Sequence, residues 1–151
     1  MRPAAERNLL PCGSIDLDQP CIDLVRMRSP PPCILLVEDE PMICFVVADY
    51  LRDHRFLVIE AMDVNEAMAL LEARDVVVDL VFSDVHMPGE LDGLDLARWV
   101  RATLPGLPVI LASGAARTSD LAGELCAFAP IEAKPYCMGS VARRMELALA
   151  D

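Results

Sequence analysis

From Cys33 onward the chain alternates between two rhythms. Cys33-Ile34-Leu35-Leu36-Val37 is a continuous apolar run of strand length, the pattern of a strand covered on both faces. Pro41, after Glu38-Asp39-Glu40, suits the first turn of a helix and predicts one running to about Asp53. Residues 56–59 predict a second strand. Val64, Ala67, Met68 and Leu71 then fall at helical spacing, and Asp63 with Glu66 three positions on forms an acidic variant of the capping box. Residues 80–83 read as a third strand, 84–92 as a loop, and 93–104 as a helix stopped by Pro105-Gly106. A fourth strand over 109–112, a short helix over 121–127 containing Gly123, a fifth strand over 131–133 and a closing helix over 138–150 complete the series.

Strand and helix thus alternate five times. That order predicts an α/β fold, a doubly wound five-stranded parallel sheet with helices on both faces and right-handed crossovers. In such sheets a ligand site lies beyond the carboxyl ends of the strands, near the point where strand order reverses.

Composition narrows the function classes. At 151 residues with 54% hydrophobic and 25% charged residues, the chain predicts one globular core. Residues 1–32 differ from the rest: they contain Pro3, Pro11, Pro20 and Pro30-Pro31-Pro32, and their four Arg balance four acids. They read as a Pro-rich, disordered tail ahead of a domain spanning 33–151, which therefore carries the whole net charge of -11. A field of that sign repels phosphate backbones and anionic lipid headgroups, so neither nucleic acid nor membrane is an expected partner. No apolar run reaches bilayer-spanning length and the N-terminus lacks a signal-peptide core, so a cytoplasmic protein is expected. Six Cys without a CxxC pair, beside two His, argue against a zinc site and a disulfide framework.

The strand ends carry the chemistry. Glu38 and Asp39 follow the first strand, Asp84 the third, Ser113 the fourth and Lys134 the fifth. Lys134 is the single Lys among 13 basic residues, a compact point charge where the others are planar forks. Carboxylates gathered together resist full ionisation unless a cation neutralises them, and oxygen ligands without His or Cys side chains suit magnesium. One of those carboxylates is then placed to attack phosphorus, with the metal, the ammonium and a hydroxyl neutralising charge on the transferred oxygens.

These residues sit in stretches that together resemble the receiver domain of two-component response regulators: Val37-Glu38-Asp39-Glu40, Ser83-Asp84-Val85-His86-Met87-Pro88-Gly89 with Asp92-Gly93-Leu94 following, Pro108-Val109-Ile110-Leu111-Ala112-Ser113-Gly114, and Lys134-Pro135-Tyr136. The resemblance covers residues 33 to about 150 and implies a flavodoxin-like fold with strand order 2-1-3-4-5. It implies that Asp84 is the phosphoacceptor, that Asp39, Asp84 and the main-chain carbonyl of His86 hold magnesium with Glu38 acting through water, and that Ser113 and Lys134 contact the phosphoryl group. A cis peptide bond before Pro135 is also implied. Two features depart from the family's pattern. Ile131 stands where many members carry a switching aromatic, and the loop from Pro88 to Gly93 is slightly long.

The expected function is a stand-alone receiver that takes a phosphoryl group from a sensor histidine kinase or histidine phosphotransfer protein. Its output would be contact with a downstream protein target, with homodimerisation a further option, and no separate catalytic activity is expected beyond slow autodephosphorylation. A pseudo-receiver, an interaction module that no longer takes phosphate, is the alternative; the intact Asp39, Asp84, Ser113 and Lys134 count against it. A magnesium-dependent phosphatase would need a second Asp two residues after Asp84, where His86 stands. Residues 114–127 are expected to be the least ordered part of the unphosphorylated domain.

Overall fold

The computed structural model describes residues 30–114, 131–134 and 137–150. Residues 1–29 of the expected tail, the expected helix over 121–127, the small-residue stretch after Gly114 and Pro135-Tyr136 lie outside the described residues. The elements described below all belong to one compact unit that begins at Pro32.

Five strands form one parallel sheet: β1 (Cys33–Val37), β2 (Leu57–Ala61), β3 (Leu80–Asp84), β4 (Val109–Gly114) and β5 (Ile131–Lys134), in the order β2-β1-β3-β4-β5. Four described helices connect or close them: α1 (Pro41–Asp53), α2 (Val64–Ala73), α3 (Gly93–Thr103) and α4 (Met138–Ala150). The expected topology is the observed one. Order reverses at β1, which pairs with β2 on one side and β3 on the other.

The continuous apolar runs are explained by burial from both sides. Successive strand side chains point to opposite faces, and the core divides accordingly. Leu35, Val37, Val81 and Leu111 pack with Val64 and Leu71 of α2 and Leu96 and Val100 of α3. Ile34, Leu36, Phe82 and Ile110 pack with Val47 and Leu51 of α1 and Val141 and Met145 of α4. Each buried Val, Leu, Ile or Phe side chain contributes roughly 1.5–3 kcal/mol relative to exposure. Cys44 belongs to the second layer, and burial pushes its thiol up to about 11, so it behaves as a small apolar residue. Cys33, Cys44 and Cys137 are free thiols.

Some boundaries move. The second strand runs from Leu57 to Ala61 rather than over 56–59. Phe56 is buried, but its N–H donates to the Leu51 carbonyl, so it belongs to the turn leaving α1, where Arg55 takes a left-handed φ of 69°. Pairing with β1 instead carries β2 on through Glu60 and Ala61. Asp84, Ser113 and Lys134 lie within the carboxyl ends of β3, β4 and β5 rather than after them, and α3 stops at Thr103. The α2 N-cap forms as expected, with Asp63 accepting from the Glu66 N–H at 2.7 Å, but the return bond of the expected box goes one residue earlier, Glu66 accepting from the Met62 N–H at 2.9 Å rather than from that of Asp63.

Two surface features follow. Met42, Phe45 and Val46, at i, i+3 and i+4 of α1, are exposed. No helix among the described residues is long and apolar enough to cross a membrane.

Candidate functional site

All five sequence-identified strand-end side chains lie at the carboxyl edge of the sheet. Asp84 ends β3, in register with Ala112 of β4, and Ser113 is the next residue along that strand. Gly114 registers with Lys134 at the end of β5. Glu38 leaves β1 with its N–H bonded to the Ala61 carbonyl, which holds the chain in line just before the α1 turn. Relative exposure is 4% for Glu38, 9% for Asp84 and 1% for Ser113, so these polar groups are set into the molecule, while Asp39 is half-buried. His86 is exposed, and its place at the site is through the main chain.

Carboxylate oxygens of Glu38, Asp39 and Asp84 all lie within 4.8 Å of one another. The Lys134 ammonium donates to Asp84 Oδ2 at 2.8 Å and stands 3.9 Å from Glu38 Oε2. Asp84 Oδ1 accepts the His86 N–H at 3.1 Å, and Glu38 Oε1 accepts the Glu40 N–H at 3.1 Å. Among the described residues, one cation therefore faces three acids. Burial pushes the Glu38 carboxyl up to about 6; the Glu40 N–H and Lys134 oppose that rise, and Asp84 and Asp39 add to it. Burial is the largest cause of that rise, and the neighbouring carboxylates add to it, as expected where negative charges are gathered away from water.

The donor set fits a hard divalent cation. Three carboxylates offer oxygen alone, and the excess negative charge is what a magnesium ion would relieve. The same edge sets the Asp84 carboxylate beside an ammonium, an arrangement suited to receiving an anionic group.

Comparison with known proteins agrees with this architecture. Residues 34–128 match the family described as the response regulator receiver domain. The chain belongs to that family. The receiver is 31% identical over 125 residues to the probable transcriptional regulatory protein TcrX of Mycobacterium tuberculosis, covering 82% of this chain and 52% of that protein. It is 34% identical over 119 residues to a protein-glutamate methylesterase/protein-glutamine glutaminase of Nocardioides sp., covering 75% of this chain and 31% of that protein. The chain thus spans about a half and about a third of the length of these two relatives. Among solved structures, the receiver domain of NtrX from Brucella abortus superposes with a TM-score of 0.70 at 31% identity, covering 78% of this chain and 98% of that one. The α/β flavodoxin-like fold of this receiver is shared with that structure.

Two residues that the receiver-like stretches contain, but that carried no assigned role, touch the Asp84 main chain. The Ser83 hydroxyl donates to the Asp84 carbonyl at 2.9 Å, and Gly93 lies against the same carbonyl. A further feature not identified from the sequence is the capping box at the start of α3, where Asp92 accepts from the Leu94 and Asp95 N–H groups and Asp95 accepts from the Asp92 N–H. The Asp-x-x-Asp spacing was its signal.

Proposed function

We propose that this receiver accepts a phosphoryl group on Asp84 from the phosphohistidine of a sensor kinase or phosphotransfer protein. It then signals through phosphorylation-dependent protein contact or by passing the group on. The observation that carries this reading is the Lys134 ammonium 2.8 Å from a carboxylate that two further acids surround. In the transfer, an Asp84 oxygen forms a bond to phosphorus as the phosphorus–nitrogen bond breaks, and the imidazole keeps the electron pair. Hydrolysis reverses the gain: water adds to phosphorus and the carboxylate leaves.

Asp39, Asp84 and the His86 main-chain carbonyl would hold magnesium, with Glu38 beside them acting through water. When bound, the ion supplies positive charge opposite the phosphoryl oxygens. Lys134 orients Asp84 and offers its charge to the incoming group, and Ser113 contacts that group from the neighbouring strand. Because Asp84 is largely buried, the donor must come to the rim of the sheet. Met42, Phe45 and Val46, exposed on the helix that starts beside Glu40, supply an apolar surface for a protein to rest on. The intact acid and lysine set favours this reading over a phosphorylation-independent interaction module.

Incubation with acetyl phosphate, with and without magnesium, followed by mapping of the modified residue, tests the proposal. Magnesium-dependent labelling confined to Asp84 and lost in Asp84→Asn is expected. Labelling at normal stoichiometry in Asp84→Asn would overturn the assignment.

A further inference from the structure

The main chain that carries Asp84 into its loop is held at several points. The Val85 N–H donates to the Ala112 carbonyl at 2.9 Å, tying the turn to β4. The Val85 carbonyl accepts the Gly93 N–H at 2.9 Å, tying it to the first residue of α3. The Asp84 carbonyl accepts the Ser83 hydroxyl at 2.9 Å, and the Asp84 carboxylate accepts the His86 N–H at 3.1 Å. Val85 and Met87 are buried on either side of exposed His86, so the turn is anchored by packing as well.

Gly93 is the point of closest approach. A Cβ there would overlap the Asp84 carbonyl oxygen and lie 2.8 Å from the Val85 Cα and 2.9 Å from the Asp84 carbonyl carbon. These are backbone atoms and cannot rotate aside as a side-chain tip would. Either α3 or the Asp84–Val85 peptide must shift. The Asp92 capping box fixes the start of α3, so the displacement falls on both partners and reaches the carboxylate through its own main chain. Ser83 is 1% exposed, and its hydroxyl holds the same carbonyl through the hydrogen bond at 2.9 Å.

We infer that Ser83 and Gly93 are positioning residues for phosphoryl acceptance: hydroxyl and bare Cα together fix the Asp84–Val85 peptide and so aim the Asp84 carboxylate and the His86 main chain. This rests on Asp84 being the acceptor. Neither residue touches the phosphoryl group; both act through Asp84.

The test compares the parent chain with Ser83→Ala, Ser83→Thr, Gly93→Ala and Leu71→Ala, a core truncation near the opposite end of the sheet. Magnesium affinity is measured with the metal alone, initial phosphorylation rate with acetyl phosphate, and folded fraction by thermal unfolding. Ser83→Ala is expected to lower magnesium affinity and rate per folded molecule about fivefold, the scale of one neutral hydrogen bond. Gly93→Ala should lower them by more than about tenfold, since backbone rather than a side chain must move. Ser83→Thr, which keeps the hydroxyl, should recover most of the loss. Leu71→Ala should lower the unfolding midpoint and leave both readouts at the parental value per folded molecule. Parental affinity and rate in Ser83→Ala overturn the inference, as does an equal loss in Leu71→Ala; if Gly93→Ala does not fold, the Ser83 pair decides. A parent chain that takes no phosphate overturns the acceptor assignment instead, whereas a labelled parent with unaffected variants overturns the positioning role alone.

Discussion

Replacing Glu38 by Gln asks how much strain the acid cluster places on the fold. The Glu38 carboxyl is raised from an ordinary value of 4.5 to about 6, chiefly by burial. Below about pH 4 it is protonated in the folded and unfolded chains alike and opposes nothing. As pH rises through this interval the unfolded chain ionises first, so folding is increasingly opposed, and the cost is complete above the folded value. A rise of about 1.5 units at roughly 1.36 kcal/mol each gives about 2 kcal/mol. Gln keeps the shape and an oxygen for the Glu40 N–H but carries no charge to desolvate. It gives up the attraction to Lys134 at 3.9 Å, which is already contained in the shifted value. Without metal at about pH 8, Glu38→Gln should therefore be the more stable protein by up to about 2 kcal/mol, a midpoint rise of roughly 5–10 °C for a domain of this size. The advantage should disappear at about pH 4. Saturating magnesium should shrink or reverse it, because the ion favours the carboxylate, and magnesium binding near pH 6 should release protons. Thermal unfolding of both chains across pH, with and without the metal, provides the measurement. A variant less stable than its parent at about pH 8 without metal, or a difference that does not change with pH, would refute the reasoning.

Magnesium affinity should fall sharply in Asp39→Asn, whereas Lys134→Ala should leave it intact or tighten it while impairing phosphorylation; a metal titration in which both lose binding equally contradicts this division. Asp92→Ala removes both cap bonds at the start of α3 and should cost about 1 kcal/mol, read by denaturant unfolding; no loss would show that the cap is redundant. Nucleic-acid binding should be absent, as the domain from residue 33 onward is strongly acidic, and salt-sensitive retention of DNA or RNA at near-physiological ionic strength would count against that.

How much was legible beforehand depends on what kind of signal each residue sends. The buried strands declared themselves because Ile34, Leu35, Leu36 and Val37 are apolar on consecutive positions, which a sheet covered on both faces requires. Asp63 and Glu66 announced the start of α2 by spacing alone. The β2 ends were less clear because β2 is an edge strand: Leu57 and Glu60 are exposed, and Arg52 rather than another strand bonds the Val58 carbonyl. Its length is set by its partner β1 rather than by its own hydropathy. Glu38, Asp39, Asp84, Ser113 and Lys134 could be grouped because all follow or end apolar runs, so topology gathers them at one edge. Ser83 and Gly93 could not be found that way. A serine inside a strand and a glycine at a helix start have ordinary local explanations, and their contact with Asp84 exists only once α3 has packed against the end of β3.

Lys134 reaches Asp84 across fifty residues of chain, and it arrives on the last strand. The segment through Asp84 already holds β1, β2 and β3, with β1 paired to both of the others, so a partial sheet built from them would gather Glu38, Asp39 and Asp84 before the ammonium is available. Such a partial sheet carries an unbalanced charge that the finished one offsets in part. Electrostatics thereby penalises the half-assembled state and favours the step that docks β5, making completion of the sheet more cooperative than its apolar contacts alone would make it.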